Sequence, residues 1–210
     1  MGAMGVKERR DRERLGMQKA ILDAAREVAA TEGWQAVTIR RVAEKIEYSP
    51  PTIYEYFESK EALLEAEMHE AFRLMINDLT AARDAHAVPD EQFRAMFDAF
   101  WNFVWKQPEM YQVISGLGGV RFCDHDCAGD DPDHEGNQVA AIWGEVLRAM
   151  LPPAEGTPEK LKGKTMTLWS LVHGFIALIM AGHFPITERE HARGLVIQAA
   201  ADLLRAWRTA

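Results

Sequence analysis

Two thiols and two imidazoles lie close together in the middle of the chain, at Cys123, His125, Cys127 and His134, with several aspartates between them. Thiolate, imidazole and carboxylate groups in this number can complete a tetrahedral zinc or nickel site, and two nearby thiols can respond to oxidants. The spacing matches no standard metal motif, and glycine and aspartate over residues 116–135 are equally typical of an acidic loop. We interpret the segment as a loop, with a metal site and thiol chemistry as the alternatives.

Aromatic side chains are a second concentration of potential binding groups, and they recur at helical spacing after Pro89. Together with the helix that follows Pro108 and one histidine nearer the end of the chain, they could line a site for an apolar or aromatic small molecule. The candidate effector-contacting residues are Phe93, Phe97, Phe100, Trp101, Trp105, Met110, Tyr111 and His173. The alternative is that this aromatic stripe and the histidine belong to the protein core.

Motifs for catalysis are missing from the sequence. It contains no serine nucleophile elbow, no HExxH pair and no phosphate-binding loop. Gly116-Leu-Gly-Gly119 lacks the preceding strand and the spacing of a dinucleotide-binding fingerprint. We therefore expect neither an enzyme nor a cofactor.

Charge is distributed unevenly along the chain. The net charge is −8, but residues 1–60 carry +1 and the remaining residues carry −9. Five basic residues precede the first predicted helix: Lys7, Arg9, Arg10, Arg12 and Arg14. A basic arm of this kind could follow phosphates or enter a minor groove. The alternative is a solvated terminus, because acidic residues alternate with the basic ones.

The periodicity of the N-terminal part predicts short helices with recognisable ends. The first helix is predicted over residues 15–31, and it stops at Gly33, where a left-handed residue is needed. Thr38 is predicted to cap a second helix. Ser49 is predicted to cap a third helix that begins at Pro50 and reaches only Phe57. Ser59 is predicted to cap a long fourth helix over residues 60–84.

The rest of the sequence also predicts helices, and no hairpin signal separates alternating apolar residues. Helices are predicted over residues 91–106, 108–114, 136–151, 158–184 and 187–207. Residues 165–184 are apolar enough to raise the question of a membrane span. Pro185 and the interruptions His173 and Gly174 favour a buried helix at a core or dimer interface instead.

The second and third predicted helices are the informative pair. Two helices of about two turns, joined by a few residues, can cross so that the second projects outward into a DNA major groove. The third helix has a polar face of Ser49, Thr52 and Tyr56 and an inward face of Ile53 and Phe57. Because so short a helix adds little to a core, a partner is expected on its polar face.

The run from Ala20 to Leu64 resembles the signature of the TetR family of transcriptional regulators. The matching segments are AILDAA, EGW, TIRRVAEK and TIYEYFESKEALL. The resemblance implies an all-α fold, with a three-helix helix-turn-helix domain over residues 15–58 and a helical-bundle domain for effector binding and dimerisation over residues 59–210. Trp169-x-x-x-His173-Gly174-Phe175 also resembles the Trp/His-Gly motif of one subclass of this family.

The same resemblance implies roles for individual residues. Thr38 caps the second helix beside a phosphate, Tyr56 and Lys60 hold the phosphate backbone, and the third helix enters the major groove. The residues assigned to DNA in this way are Thr38, Arg40, Arg41, Tyr48, Ser49, Pro51, Thr52, Tyr54, Tyr56 and Lys60. From the residues alone, Tyr54 could instead pack on the first helix, and Arg41 could be solvated surface.

Two positions depart from the family pattern. A glycine is common where Glu47 stands, and a Lys-Gly pair is common where Pro50-Pro51 stands. The second departure removes a cationic phosphate contact and leaves an apolar one, such as contact with a thymine methyl group. The departures concern the operator sequence, not the binding of DNA.

The expected function is a cytoplasmic, homodimeric regulator that binds a palindromic double-stranded operator, acts as a repressor, and is released by a small-molecule effector. No membrane association is expected, and two cysteines without a disulfide framework favour a reducing compartment. Apolar positions of the last two helices are expected to form the dimer interface, namely Trp169, Val172, Phe175, Ile176, Ile179, Leu195, Ala199, Leu203 and Trp207. A regulator that responds to metal or to oxidation through the Cys123–His134 segment is the alternative.

Overall fold

The computed structural model describes residues 2–117, 133–183 and 189–209. Within these ranges the chain forms nine α-helices and two 3₁₀ turns, and no strand is present. The helices are α1 (Gly2–Glu32), α2 (Ile39–Lys45), α3 (Pro50–Tyr54), α4 (Lys60–Asp84), α5 (Pro89–Lys106), α6 (Pro108–Ser115), α7 (Glu135–Met150), α8 (Pro158–Met180) and α9 (Arg189–Thr209). The predicted all-α class is confirmed.

The chain divides into two compact units. The first unit contains the residues up to Phe72 and the segment that begins at Lys106, and the second contains Arg73–Trp105 and the helices from α7 onward. The first unit therefore includes α1 to α3, half of α4, and α6. It is larger than the helix-turn-helix domain predicted over residues 15–58, and that boundary stays a prediction.

The core of the first unit is built around α1 and Trp34. Ile21 and Ala25 of α1 are fully buried, and so is Leu63 of α4. Trp34 lies in the 3₁₀ turn after α1 and is 1% exposed, and its Nε1–H donates a hydrogen bond to the Glu109 carbonyl of α6 at 2.9 Å. The first unit thus draws its core from segments that are far apart in the sequence.

Several predicted helix ends are confirmed by capping contacts. The Thr38 hydroxyl accepts a hydrogen bond from the Arg41 N–H at 3.2 Å, and the Ser59 hydroxyl accepts one from the Ala62 N–H at 3.1 Å. Gly33 follows α1 with φ +84°, a backbone conformation that only glycine adopts without strain.

Other predicted ends are wrong. The first helix begins at Gly2, not near Leu15, so the basic segment before Leu15 is helical and not an extended arm. The helix α3 ends at Tyr54, before the predicted Phe57, although Phe57 is still buried. The helix α8 ends at Met180, where the prediction extended it to residue 184.

In the second unit, ion pairs tie α5 to α9. Asp98 of α5 pairs with Arg193 of α9, and Asp90 accepts two hydrogen bonds of 2.8 Å from Arg208. Because the pairs run in opposite order along the two helices, α5 and α9 are antiparallel. Most of these side chains are partly exposed, so each pair orients the helices more than it stabilises them.

The predicted dimer face is only partly exposed in the protomer. Val172, Ile176 and Ile179 of α8 are buried at 9%, 0% and 4% exposure, so they belong to the core of the second unit and not to an open face. Apolar side chains that remain exposed on α8 and α9 are Met166, Trp169, Leu178, Leu195 and Ile197. This set, not the buried one, is available to a second protomer.

Among the described residues, α8 is the one helix that is long and apolar enough to cross a membrane by length and composition. Its most apolar window is 22% buried within the protomer. A single helix of this length and composition is weak evidence for a membrane span.

Glu47, in the turn between α2 and α3, has φ +61° and is the one described non-glycine residue with positive φ. A side chain in the left-handed region costs about 1–2 kcal/mol. We therefore expect Glu47→Gly to raise the free energy of unfolding by about 1 kcal/mol. The greater conformational entropy of glycine in the unfolded chain offsets part of this gain. Urea unfolding of the variant measures this change.

Glu55→Gly is the matched control, since Glu55 is exposed and has an ordinary right-handed conformation. This control should be neutral or destabilising. Equal changes in the two variants would show that the left-handed turn carries no strain.

Candidate DNA interface and effector-binding body

The helices α2 and α3 present one buried and one exposed face. Ile39, Val42 and Ala43 of α2 point into the core of the first unit, and Ile53 of α3 is fully buried there. The opposite sides are open to solvent, as a helix-turn-helix reader requires. Tyr54 is 54% exposed, which excludes its packing into the core against α1.

All ten residues that were assigned to DNA from the sequence lie in the first unit, and none is buried. They lie at the cap of α2 and on α2, in the turn before α3, on α3, and between Tyr56 and the start of α4. The exposed ones are Thr38, Arg40, Arg41, Tyr48, Ser49, Pro51 and Tyr54, and the partly exposed ones are Thr52, Tyr56 and Lys60. The structure thus brings these residues together on solvent-accessible surface. Their contact with DNA stays a prediction.

The start of α3 differs from the expected cap. The Ser49 side chain makes no capping hydrogen bond to the backbone; its Oγ lies 3.1 Å from the Thr52 Oγ1 instead. Pro50 and Pro51 occupy the first two positions of α3 and have no N–H to be capped, which removes part of the need for the bond. The two hydroxyls are left at the exposed end of the helix.

The arginines of α2 are held by acidic neighbours. Arg40 lies 2.9 Å from Glu44, and Arg41 pairs with Glu32 of α1. These pairs are exposed and therefore weak. A phosphate could replace either carboxylate, because a guanidinium group donates hydrogen bonds to phosphate oxygens as it does to carboxylate oxygens.

The N-terminal part of α1 borders a groove beside Tyr56. The Arg14 guanidinium lies 5.9 Å from the centre of the Tyr56 ring. The groove has a volume of about 650 Å³ and is lined by Lys7, Arg10, Asp11, Glu13, Arg14, Glu55 and Tyr56. Basic residues that were interpreted as an arm or a solvated terminus therefore lie on a helix beside a predicted phosphate-contacting residue.

A buried ion pair, Arg26–Glu67, is a feature that the sequence interpretation missed. Glu67 of α4 is 1% exposed, and its Oε2 accepts a 2.8 Å hydrogen bond from Arg26 of α1, which also contacts Asp23 at 2.9 Å. The Glu67 Oε1 is buried and has no partner among the described residues. The signal was present in the sequence, because Glu67 continues the apolar positions Leu63 and Leu64 at helical spacing.

Burial raises the pKa of Glu67 to about 7, in spite of the opposing effect of Arg26. Asp23 and Glu70 raise this pKa further through their negative charge. The carboxyl group therefore changes its protonation near neutral pH, inside the unit that carries α2 and α3.

In the second unit, α5 carries most of the predicted effector-contacting residues. Phe97 and Trp101 are stacked with ring centres 6.1 Å apart, and Trp101 meets Trp105 edge-on at 5.7 Å. Phe93, one turn earlier, meets Trp143 of α7 edge-on at 5.5 Å. Both earlier interpretations, core and binding site, agree with this burial.

The other predicted effector residues are distributed differently. Met110 and Tyr111 are 2% exposed and belong to the first unit, not the second. Burial raises the pKa of Tyr111. His173 stacks on Trp169 with ring centres 4.7 Å apart, and burial lowers the pKa of its imidazole. Burial thus favours the neutral form of the His173 imidazole, which lies beside the exposed Trp169 side chain.

Most of the predicted metal ligands, Cys123, His125 and Cys127, lie outside the described residues. His134 is described, and its Nδ1 accepts a 3.1 Å hydrogen bond from the Gly136 N–H at the start of α7. Within the described ranges no group of three potential ligands is found, and the metal hypothesis stays a prediction.

Comparison with known families agrees with this arrangement. Residues 21–66 match the family "Bacterial regulatory proteins, tetR family". Residues 93–203, more than half of the chain, match "Tetracyclin repressor-like, C-terminal domain". The chain belongs to the TetR family.

Individual TetR-family relatives are distant. The HTH-type transcriptional regulator BetI of Rhizobium meliloti is 37% identical over 38% of this chain and 39% of its own length. The transcriptional repressor KstR of Mycolicibacterium smegmatis is 26% identical over 70% of this chain and 67% of its own length. A regulatory protein of the tetR family from Rhodococcus RHA1 has the same fold, with a TM-score of 0.64 at 19% identity over 90% of this chain and 96% of that one.

The TetR family consists of DNA-binding transcriptional regulators and not of enzymes, which agrees with the sequence interpretation. The first match runs from the C-terminal part of α1 to the start of α4, and the second runs from within α5 to within α9. The first match ends just before Glu67, so the buried carboxyl group lies outside both.

The pKa of Glu67 predicts a specific pH dependence of stability. A folded-state pKa of about 7, above the ordinary value of 4.5, stabilises the folded protein fully below pH 4.5 and progressively less as the pH rises through 7. The unfolding free energy of wild type should therefore fall between pH 5 and 8 relative to that of Glu67→Gln, which does not titrate. Urea unfolding at several pH values measures the difference.

Glu61→Gln is the control, because Glu61 is exposed on the same helix and hydrogen bonds with its own backbone N–H and with Ser59 lower its pKa, so that it stays ionised over this range. Its difference from wild type should stay nearly constant over this range. A pH-independent difference between wild type and Glu67→Gln would show that the Glu67 carboxyl has an ordinary pKa.

Proposed function

We propose that this protein is a cytoplasmic transcriptional repressor that binds a palindromic operator as a homodimer and is released by a small apolar or aromatic effector. The observation that carries the proposal is the surface of α2 and α3. Residues at the positions expected to contact DNA are all accessible, while Ile39, Val42 and Ile53 on the opposite side are buried. A short, exposed helix of this kind fits the major groove.

Dimerisation is supported by apolar surface that the protomer leaves open. Trp169 is 48% exposed, Met166 57% and Leu178 43%, and all three lie on α8. Exposed apolar side chains that are neighbours on one helix, as Met166 and Trp169 are at spacing i,i+3, favour an interaction surface. Two protomers related by a twofold axis would present two α3 helices to the two halves of a palindrome.

Effector release is supported by the aromatic interior of the second unit, which suits an apolar ligand. Binding of the effector would favour a dimer geometry in which the two α3 helices no longer match the spacing of the half-sites. Such coupling requires only that the effector bind the two geometries with different affinity.

The operator can be obtained by selection from random double-stranded DNA, with affinity measured by fluorescence anisotropy. We expect the selected sites to be palindromic and to be bound at least a thousandfold more tightly than unrelated DNA. Selection of no sequence, with equal affinity for all DNA, would contradict the proposed function.

Tyr54→Ala should weaken binding to the selected operator by about tenfold or more, because the side chain is exposed on the helix proposed to read the bases. Lys60→Ala should weaken binding to operator and to unrelated DNA alike, as the loss of a phosphate contact does. Both variants should remain dimeric.

Lys106→Ala is the control. It removes the same charge from an exposed position off the proposed surface, and it should bind as wild type does. Normal binding by Tyr54→Ala or Lys60→Ala would remove that residue from the interface.

Trp169→Glu should convert the dimer to a monomer in sedimentation experiments and abolish tight operator binding, because it places a charge in the proposed interface. Val88→Glu is the control, since Val88 is 49% exposed and therefore comparable, but it lies between α4 and α5. A Trp169→Glu protein that stays dimeric would exclude this part of α8 from the interface.

A further inference from the structure

Two indole N–H groups on α5 are buried without a hydrogen-bond acceptor. The Nε1 atoms of Trp101 and Trp105 have no partner within the described part of the chain. Trp101 as a whole is 2% exposed. Buried donors in folded proteins are nearly always paired, because an unpaired one has lost its hydrogen bonds to water without replacement. Two such donors one turn apart therefore need a physical explanation.

The ring contacts of Trp101 offer little to hold a water molecule. Trp101 is in ring contact with Phe97 and with Trp105, at 6.1 and 5.7 Å between ring centres. An ordered buried water typically needs two to four polar partners, and these neighbouring rings offer none apart from the indoles themselves. An apolar molecule with one acceptor group satisfies both requirements of the site, since its body packs on the rings and its oxygen accepts from the indoles.

A cation lies over the ring of the second tryptophan, Trp105. The Arg189 guanidinium at the start of α9 is 5.3 Å from the centre of the Trp105 ring. The next arginine on this helix, Arg193, is paired with Asp98 of α5. The positive charge of Arg189 beside the Trp105 indole favours an anionic acceptor over a neutral one.

We propose that Trp101 and Trp105 donate hydrogen bonds to the effector, and that the effector is an apolar molecule ending in a carboxylate, which Arg189 attracts. This inference rests on the proposed function, because it assigns the chemical class of ligand for the effector site in the second unit. It also distinguishes the tryptophans of α5 from ordinary core residues, since an apolar aromatic side chain such as phenylalanine would pack there without burying a donor.

The test uses the full-length protein labelled with ¹⁵N at its six indole nitrogens. The probes are phenylalkanoates with chains of four, six and eight carbons, each compared with the alkylbenzene of the same length and with its methyl ester. We expect at least one acid to bind about tenfold or more tightly than its hydrocarbon, and two indole N–H signals to move downfield as they gain an acceptor. Equal affinity of acid and hydrocarbon, no binding by any acid, or unmoved indole signals would overturn the proposal.

Substitutions show which tryptophans give the responsive indole signals, and whether the positive charge of Arg189 contributes to binding. Trp101→Phe and Trp105→Phe should each remove one responsive signal and lower the affinity for the acid. Trp143→Phe is the control, because Trp143 lies on α7 and contacts Phe93. It should leave the responsive signals and the affinity unchanged. Arg189→Gln should reduce binding of the acid but not of the ester. If a tryptophan variant does not fold, the wild-type comparison of acid with hydrocarbon still decides the matter.

The same samples are tested for binding to the selected operator, which separates the two possible failures. Normal operator binding with unresponsive indoles overturns the assignment of Trp101 and Trp105 alone. Loss of specific operator binding by wild type overturns the proposed function itself. Displacement of operator DNA by the acid, reduced in the Trp101→Phe variant, supports both.

Discussion

The burial of Trp34 is the constraint on which the first unit depends. A three-helix segment of about 45 residues can bury only a small core and is marginal by itself. Trp34 reaches 75 residues along the chain to the Glu109 carbonyl, and Leu63 and Val113 from α4 and α6 join the same cluster. The position of α2 and α3 is therefore fixed by residues that lie well outside the helix-turn-helix motif. This explains why the compact unit extends beyond residue 58.

Local signals in the sequence were sufficient for α2 and α3. Thr38 and Ser59 cap their helices as expected. Each hydroxyl lies three residues before a backbone N–H that has no partner within its helix, and it accepts a hydrogen bond from that N–H. The exposed face of α2 and α3 also followed from periodicity, since Ile53 and Val42 must be buried and their neighbours then face solvent. Ser49 was wrong as a cap because the two following prolines change which donors exist.

Other features could not be predicted from local signals of this kind. The N-terminal extension of α1 is polar on all sides, which is typical of a solvated segment, yet pairs such as Arg9–Glu13 at spacing i,i+4 are compatible with a helix. The pKa of Glu67 depends on Arg26, 41 residues away. The unpaired indole N–H groups of Trp101 and Trp105 could not be predicted, because the sequence predicts an aromatic face on α5 but not which atoms surround each indole nitrogen.

The paired prolines at the start of α3 have a consequence for how binding responds to ions. Pro50 and Pro51 remove two backbone donors, and α3 contains no lysine or arginine. Basic side chains on the helices that flank α3 would then displace most of the counterions that DNA releases on binding. Substitutions within α3 could change the preferred base sequence while the dependence of affinity on ionic strength stays the same. Sequence preference and salt sensitivity would thus reside on separate helices of one small unit.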